Sequence, residues 1–332
     1  MRTLVLAPFS DEGLVALERM GGMTYEPWTR TQHLHDPQQL GARVASEGFG
    51  ALVVEADFLF DELFEAATTL RFAAICRSAL NQVDLDAATA HGVAVVHTPG
   101  RNAQAVAELA LAMMLSLARW LPQASDYLRR GEWWDPTEPY TRFQGRELLG
   151  ATVGIIGLGE IGRRVARLAR ALRMRVLAYD PYVRPGGRGT AGVTLTTLEG
   201  LLRESDFVSV HVPETPETTG LLSARRLEFC KPTAYLVNVT AQAVVDAEAL
   251  AAALREHRLA GAAMDVHEAH PIPPDSPFIG MPNVLLTPHI GGATVETVHR
   301  HSRMVVSDLE WFVAGNRPRH LANAGVWRRL RR

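Results

Sequence analysis

The chain has only two cysteines in 332 residues, Cys76 and Cys230. They are too few and too far apart for the disulfide framework of a small secreted fold. Each lies in an apolar or near-apolar run, as buried reduced thiols do. There is no run of about 18 apolar residues from which to build a membrane span, and the opening MRTLVLAPFS is too short in apolar residues for a signal peptide. These absences predict a reducing, cytoplasmic setting. Excess charge is lacking as well: a net charge of -2 gives no field to gather nucleic acid or anionic lipid. The cluster Arg328, Arg329, Arg331 and Arg332 then reads as a solvated tail. Repeats and low-complexity segments are missing too.

What is present is a composition of 47% hydrophobic and 21% charged residues, usual for a globular chain of this length with two domains. Short apolar runs alternate with helical patterns: TLVLAP, DEGLVALERM, ALVVEA, DELFEAA, LRFAAIC, LDAATAHG. That alternation predicts a parallel sheet covered by helices. Residues 102–121, NAQAVAELALAMMLSLARWL, are apolar nearly all round and predict a buried connecting helix. A second series follows the Trp-, Pro- and Tyr-rich loop GEWWDPTEPYTRFQG: TVGIIG, RVLAYD, DFVSVHVP, AYLVNV, GAAMDV and NVLLTP, with HPIPPDSPF as an ordered surface excursion. The last helical pattern, 293–312, has no strands after it and is expected to pack back on the first domain. The predicted organisation is a domain of residues 99–289 inserted into a domain made of 1–98 and 290–332.

In VGIIGLGEIG, Gly157, Gly159 and Gly162 form G-x-G-x-x-G between a strand and a helix. The first glycine permits the tight turn, the second lets backbone approach a diphosphate, and the third lets helix pack on strand. The diphosphate would rest on the helix N-terminus at Glu160, Ile161 and Gly162. The next strand ends in Asp180, where a carboxylate can accept both ribose hydroxyls of NAD. Arg184 and Arg188 nearby keep NADP open. The alternative, glycines needed only for packing, lacks an explanation for Asp180.

These residues resemble the NAD-dependent D-isomer-specific 2-hydroxyacid dehydrogenases. The likeness runs through VDLDAATAHGVAVVHTPG, AVAELALAMML, VGIIGLGEIG, SDFVSVHVPETPETTGLL, VVDAEALAAAL, LAGAAMDV and NVLLTPHIGGAT in that order. It implies an α/β protein of two Rossmann- and flavodoxin-like doubly wound parallel-sheet domains with an interdomain cleft, NAD as cofactor, and a homodimer formed through the cofactor domain. It also implies that His211, Val212, Pro213, Thr218, Val239, Thr240, Asp265, His289 and Gly291 border the cofactor, Asp265 at the nicotinamide carboxamide. A strand-end cap is the other reading of Asp265.

In that family a His gives a proton to the developing alkoxide, an Arg grips the substrate's carbonyl and carboxylate, and a Glu orients the His. His289 in LTPHIGG matches the first. The second does not match: aligning Asn238 and Asp246 without a gap puts Ala241 at the Arg position. The third does not match either, since DVHEAHP puts His270 where the Glu belongs. A neutral His270 can still accept the imidazole N-H, whereas a protonated one disfavours a charge on His289. In RSALNQVD, Ser78, Ala79 and Leu80 follow Arg77 where the family has a Gly-containing turn whose amides grip a carboxylate, so that grip is expected to be lost.

The expected function is therefore hydride transfer between NAD(H) and a hydroxy or keto small-molecule substrate that is not a simple 2-keto acid, a larger or uncharged carbonyl suiting Ala241 better, with His289 as acid/base. Two others stay open: an NAD(H)-sensing protein without turnover, and an enzyme that uses bound NAD transiently in a net isomerisation or elimination. Asn102 is either a polar substrate contact or a helix N-cap. His267, His270 and His289 raise a metal site, but they lie on loops with no Cys beside them, and no metal is expected. His91, His97, His257, His299 and His301 read as surface or strand-end residues. Trp133 and Trp134 suggest a domain or subunit contact, with substrate stacking as the other reading.

Overall fold

A computed structural model describes residues 1–187 and 189–330; Arg188, Arg331 and Arg332, named above, lie outside the described residues. Contacts divide the chain into two compact units, Met1–Arg101 with Thr294–Arg332, and Asn102–Ala293.

The first unit begins β1 (Thr3–Val5), α1 (Asp11–Arg19), β2 (Met23–Tyr25), α2 (Trp28–Thr31), α3 (Pro37–Ser46), β3 (Ala51–Val54), α4 (Asp61–Ala66), β4 (Phe72–Ile75), α5 (Leu85–Ala90) and β5 (Ala94–His97). Its sheet is wholly parallel in the order β2-β1-β3-β4-β5. The central strands are apolar without alternation because both faces are covered. Leu4, Leu52, Ala73 and Val95 share one core with Leu40 and Leu63 of α3 and α4. One residue on, Val5, Val53, Ala74 and Val96 face the opposite core, as the two-residue period of a strand requires. Side-chain oxygens of Ser10, Asp36 and Asp84 cap α1, α3 and α5, which fixes where each helix starts.

The second unit comprises α6 (Ala103–Ala118), α7 (Leu121–Arg129), α8 (Glu138–Arg142), β6 (Thr152–Ile156), α9 (Glu160–Ala171), β7 (Arg175–Tyr179), β8 (Thr194–Leu195), α10 (Leu198–Glu204), β9 (Phe207–Val210), α11 (Ala224–Leu227), β10 (Tyr235–Asn238), α12 (Ala247–Arg255), β11 (Gly261–Met264) and β12 (Val284–Leu286). The parallel order β12-β11-β10-β9-β6-β7-β8 reverses direction between β6 and β9. Such a doubly wound sheet binds ligands outside the carboxyl ends of its strands, at the reversal. The chain then returns to the first unit as α13 (Val295–Val313), which packs on α1, and α14 (Ala324–Leu330) beside α5. Among the described residues no single helix is long and apolar enough to cross a membrane; α6 and α7 reach that length and composition only together, bent by 64°.

The fold class agrees with the sequence reading, with local corrections. The helix expected over 102–121 ends at Ala118, because Trp120 adopts a left-handed φ of 55° that starts α7 in a new direction. Nor is it buried all round: Leu115 is 38% exposed. The edge strands β2 and β8, three and two residues long, are too short to show a period. His301 is not a surface residue but fully buried.

Candidate active site

Three features gather on the carboxyl edge of the seven-stranded sheet. The first is the turn from β6 into α9. Gly157 has φ 92°, and a Cβ there would lie 2.7 Å from Val212 Cγ1 and 2.8 Å from the His211 carbonyl. A Cβ on Gly162 would overlap the Gly157 carbonyl oxygen, whereas one on Gly159 would meet nothing within 4 Å. Two glycines are thus set by packing, and the middle one opens onto free space above the N-terminus of α9, which no side chain caps. Asp180 accepts from Leu158 N at 2.8 Å and Tyr182 N at 2.9 Å, tying the end of β7 to this turn. The uncapped amides and the open cradle at Gly159 fit a dinucleotide diphosphate, with Asp180 at the ribose edge. Two residues expected beside the cofactor turn their side chains elsewhere. His211 is buried with Nε2 2.8 Å from Ser209 Oγ, its pKa pushed down to about 3 by burial, so its backbone alone borders the turn. Thr218 commits its hydroxyl to Pro213 O at 2.6 Å and Thr215 N at 2.8 Å.

The second feature is the turn after β10. Asn238 donates from Nδ2 to Ala241 O at 2.9 Å, and its Oδ1 accepts from Thr240 N and Ala241 N at 3.3 and 3.4 Å. Thr240 Oγ1 reaches back to Val210 O at 3.0 Å, and Val239 is buried. Ala241 itself is 8% exposed and packs in the apolar cluster of Val244, Val245 and Leu250. The brace that shapes the turn is present, and the side chain it carries is a methyl group.

The third is the loop after β12. His289 has a left-handed φ of 55°, a conformation that costs a non-glycine residue and persists only where its surroundings enforce it. Asp265, 1% exposed, does the enforcing: its Oδ1 accepts from Thr287 Oγ1 at 2.6 Å and Ile290 N at 2.8 Å, and its Oδ2 from Gly291 N at 2.7 Å. A Cβ on Gly291 would lie 2.8 Å from that Oδ2, so glycine is needed for the amide to approach. Three of about four acceptor positions on the carboxylate therefore serve the loop, which makes the strand-end role of Asp265 the one visible here. His289 Nδ1 is 2.8 Å from His270 Nε2, with ring centroids 4.9 Å apart. His267 turns away to Thr287 O at 2.8 Å. Asn102 makes no cap hydrogen bond with α6; its amide nitrogen lies where a Cβ on Gly292 would come within 3.3 Å. Thr287, overlooked in the sequence, stands two residues before His289 and was legible only as a hydroxyl near the strand end.

Arg77, Ser78, Ala79 and Leu80 belong to the five-stranded unit, at the carboxyl end of β4. Arg77 Nη1 donates to Gln82 Oε1 at 3.2 Å, and the Ser78 hydroxyl accepts from Gly100 N at 3.1 Å. Among the described residues, the backbone N-H groups of Ser78, Ala79 and Leu80 donate to nothing. Arg101 in the same unit is sequestered: it pairs with Glu55, donates to His301 Nδ1 at 2.7 Å, and its side chain is 11% exposed. His301 in turn donates from Nε2 to Pro8 O at 2.7 Å; burial first, then the Arg101 charge, push its pKa down to about 4.

The model of the NAD binding domain of D-isomer specific 2-hydroxyacid dehydrogenases matches residues 111–291. A glyoxylate reductase from Korarchaeum cryptofilum is 41% identical over 268 residues, 80% of each chain. A D-3-phosphoglycerate dehydrogenase from Archaeoglobus fulgidus is 35% identical over 97% of this chain, which spans 59% of that longer relative. The crystal structure of the TT0316 protein from Thermus thermophilus superposes with a TM-score of 0.84 at 35% identity, covering 97% of this chain and 100% of that one. The chain belongs to the D-isomer specific 2-hydroxyacid dehydrogenase family: it is an oxidoreductase of that family, and NAD(H) is its cofactor.

Proposed function

We propose that this protein interconverts a hydroxy and a keto substrate other than a simple 2-keto acid, with His289 as acid/base and His270 as the residue that orients it. The observation that carries the reading is the 2.8 Å bond between His289 Nδ1 and His270 Nε2, set on the same sheet edge as a turn whose position 241 is a buried methyl group. When bound, the nicotinamide supplies or takes up the hydride. His289 gives a proton to the substrate oxygen in reduction and takes it back in oxidation. A hydrogen bond between two imidazoles needs one donor and one acceptor. When His289 is charged and donates from Nδ1, His270 must be neutral with an unprotonated Nε2, so the pair carries one mobile proton rather than two. Asp265 and Thr287 hold the loop that presents His289. Asn102 offers an amide beside Gly292 that suits a carbonyl or hydroxyl.

With no cation at 241, the two-point Arg grip on a 2-keto acid is gone. Loss of one partner of a desolvated charge pair costs about 2 to 5 kcal/mol, or roughly thirty-fold to several thousand-fold in kcat/KM. Pyruvate, glyoxylate and hydroxypyruvate should accordingly be poor substrates. Assays of NADH oxidation with these acids and with uncharged ketones test this: a kcat/KM for pyruvate comparable to that for the best ketone contradicts it. NADH binding with no turnover of any carbonyl would favour the sensing reading instead. We also propose a homodimer, supported by the exposed Trp133, Trp134, Tyr140, Leu121 and Leu128 of the seven-stranded unit, and a cytoplasmic setting, supported by the free, buried thiols of Cys76 and Cys230. Light scattering at 36.4 kDa across micromolar concentrations would refute the dimer.

A further inference from the structure

We propose that a cavity within the seven-stranded unit, separate from the reacting residues, binds a small organic cation, a primary alkylammonium or alkylguanidinium ion. Such a site is independent of the function proposed above, and its occupancy does not require turnover of a carbonyl. The space measures about 150 Å³ and is walled by the turn after β10, the first turn of α12 and the loop that follows β11. All three belong to one compact unit. Asp265, His270 and His289 take no part in the wall. A space of this volume holds a molecule of about the bulk of benzene.

The wall offers acceptors and carries no lysine or arginine. Glu248, Glu268 and Asp275 line it, and among the described residues none of the three makes an ion pair. His267 joins them. Its Nε2 is the donor to Thr287 O at 2.8 Å, since a carbonyl only accepts, so in the neutral ring Nδ1 presents a lone pair. Ser276 is the independent sign of a ligand. It is 9% exposed, but its hydroxyl is not sealed inside the protein and makes no hydrogen bond among the described residues, so the cavity that Ser276 lines is what it faces. A nearly buried hydroxyl costs free energy until something in the cavity partners it. The rest of the lining is apolar: Phe278 is 5% exposed, and Ile272, Pro277 and Ala247 border the same space. An anion has the wrong charge for this wall, and Asp246 already caps α12 by accepting from Ala249 N at 3.0 Å. A metal ion does not fit either, because among the described residues no three His, Cys, Asp or Glu side chains are grouped to hold one. Acceptors spread around an apolar lining suit a cation with several N-H donors on a short hydrocarbon stem, the head bonding carboxylates while the stem covers Phe278.

The test is ligand-detected NMR titration of n-butylammonium and n-butylguanidinium into full-length protein, with n-butanol and butyrate as uncharged and anionic controls. Wild type is compared with three variants: Glu268→Gln with Asp275→Asn, which removes two charges; Ser276→Ala; and Ala247→Leu, which fills the space and leaves every charge in place. At least one cation should bind wild type about ten-fold or more tightly than either control. Its affinity should fall about five-fold in the double variant and about five-fold in Ser276→Ala, and be lost in Ala247→Leu, with NADH affinity unchanged throughout. The proposal is overturned if neither cation binds wild type, if n-butanol binds as tightly as n-butylammonium, or if affinity is unchanged in the double variant. Binding that survives Ala247→Leu also overturns it, as the mark of diffuse attraction to surface carboxylates. Should Ala247→Leu fail to fold, Ser276→Ala decides in its place, since diffuse attraction does not depend on that hydroxyl: unchanged affinity contradicts the cavity.

Discussion

Two strand-to-helix turns on one sheet edge, β6 into α9 and β10 into α12, have been treated differently. In the first, shape and ligand fit share one short loop: packing demands Gly157 and Gly162, and the open space at Gly159 between them fits a dinucleotide diphosphate. In the second they are separate: Asn238 shapes the backbone, and Ala241 is merely carried by it. A turn whose fold depends on its ligand-binding residues cannot change them without losing shape. One braced by a neighbour can exchange an anion clamp for a methyl group and still fold.

That difference predicts its own hierarchy of effects. Gly162→Ala, which drives a methyl into the Gly157 carbonyl, should reduce NADH affinity at least a hundred-fold by calorimetry. Near-normal binding would mean that the first turn is as tolerant as the second. Ala241→Arg should recover less than ten-fold in kcat/KM for pyruvate, since a guanidinium must leave an apolar cluster and His270 still partners His289. It should also lower the thermal midpoint, because burying an unpaired charge is costly.

Acid should loosen the first turn through His211, whose carbonyl lies under Gly157. Its folded pKa, about 3, is below that of the unfolded chain, near 6.5. The unfolded state therefore binds more protons, and the stabilisation present above pH 6.5 is lost as pH falls toward 3. The slope is at most about 1.4 kcal/mol per pH unit for one histidine. His211→Gln should flatten part of that dependence in urea titrations between pH 6.5 and 4, and an unchanged slope would refute the assignment; His301, with a folded pKa of about 4, should act likewise in the other unit. The smallest effect is cofactor choice: Asp180 at the ribose edge should leave NADH bound about ten-fold tighter than NADPH, and equal affinities would contradict it.

How much of this was legible beforehand follows the same division. The glycine spacing and Asp180 are local patterns, visible because the spacing itself encodes the geometry, whereas His289 and the missing Arg at Ala241 were legible only through the resemblance to the family. The roles of Asp265 and His301 are not local. Asp265 bonds residues 22 to 26 positions later, and His301 meets an arginine 200 positions earlier, so no window of sequence shows their partners, although a strand-end cap could be read for Asp265. Asn102 was ambiguous because an Asn before a helix is usually a cap; only its unmade cap bond separates the readings.

The central claim is that His289 does acid/base chemistry on a carbonyl without a charged residue at 241. It is tested most directly by measuring NADH oxidation against a panel of 2-keto acids and uncharged ketones, in wild type and His289→Ala. The account predicts poor turnover of pyruvate, glyoxylate and hydroxypyruvate, and better turnover of at least one larger or uncharged carbonyl. His289→Ala should lower that turnover by about 100- to 10,000-fold with NADH affinity nearly unchanged. Efficient wild-type reduction of a small 2-keto acid, or turnover that survives His289→Ala, would contradict it.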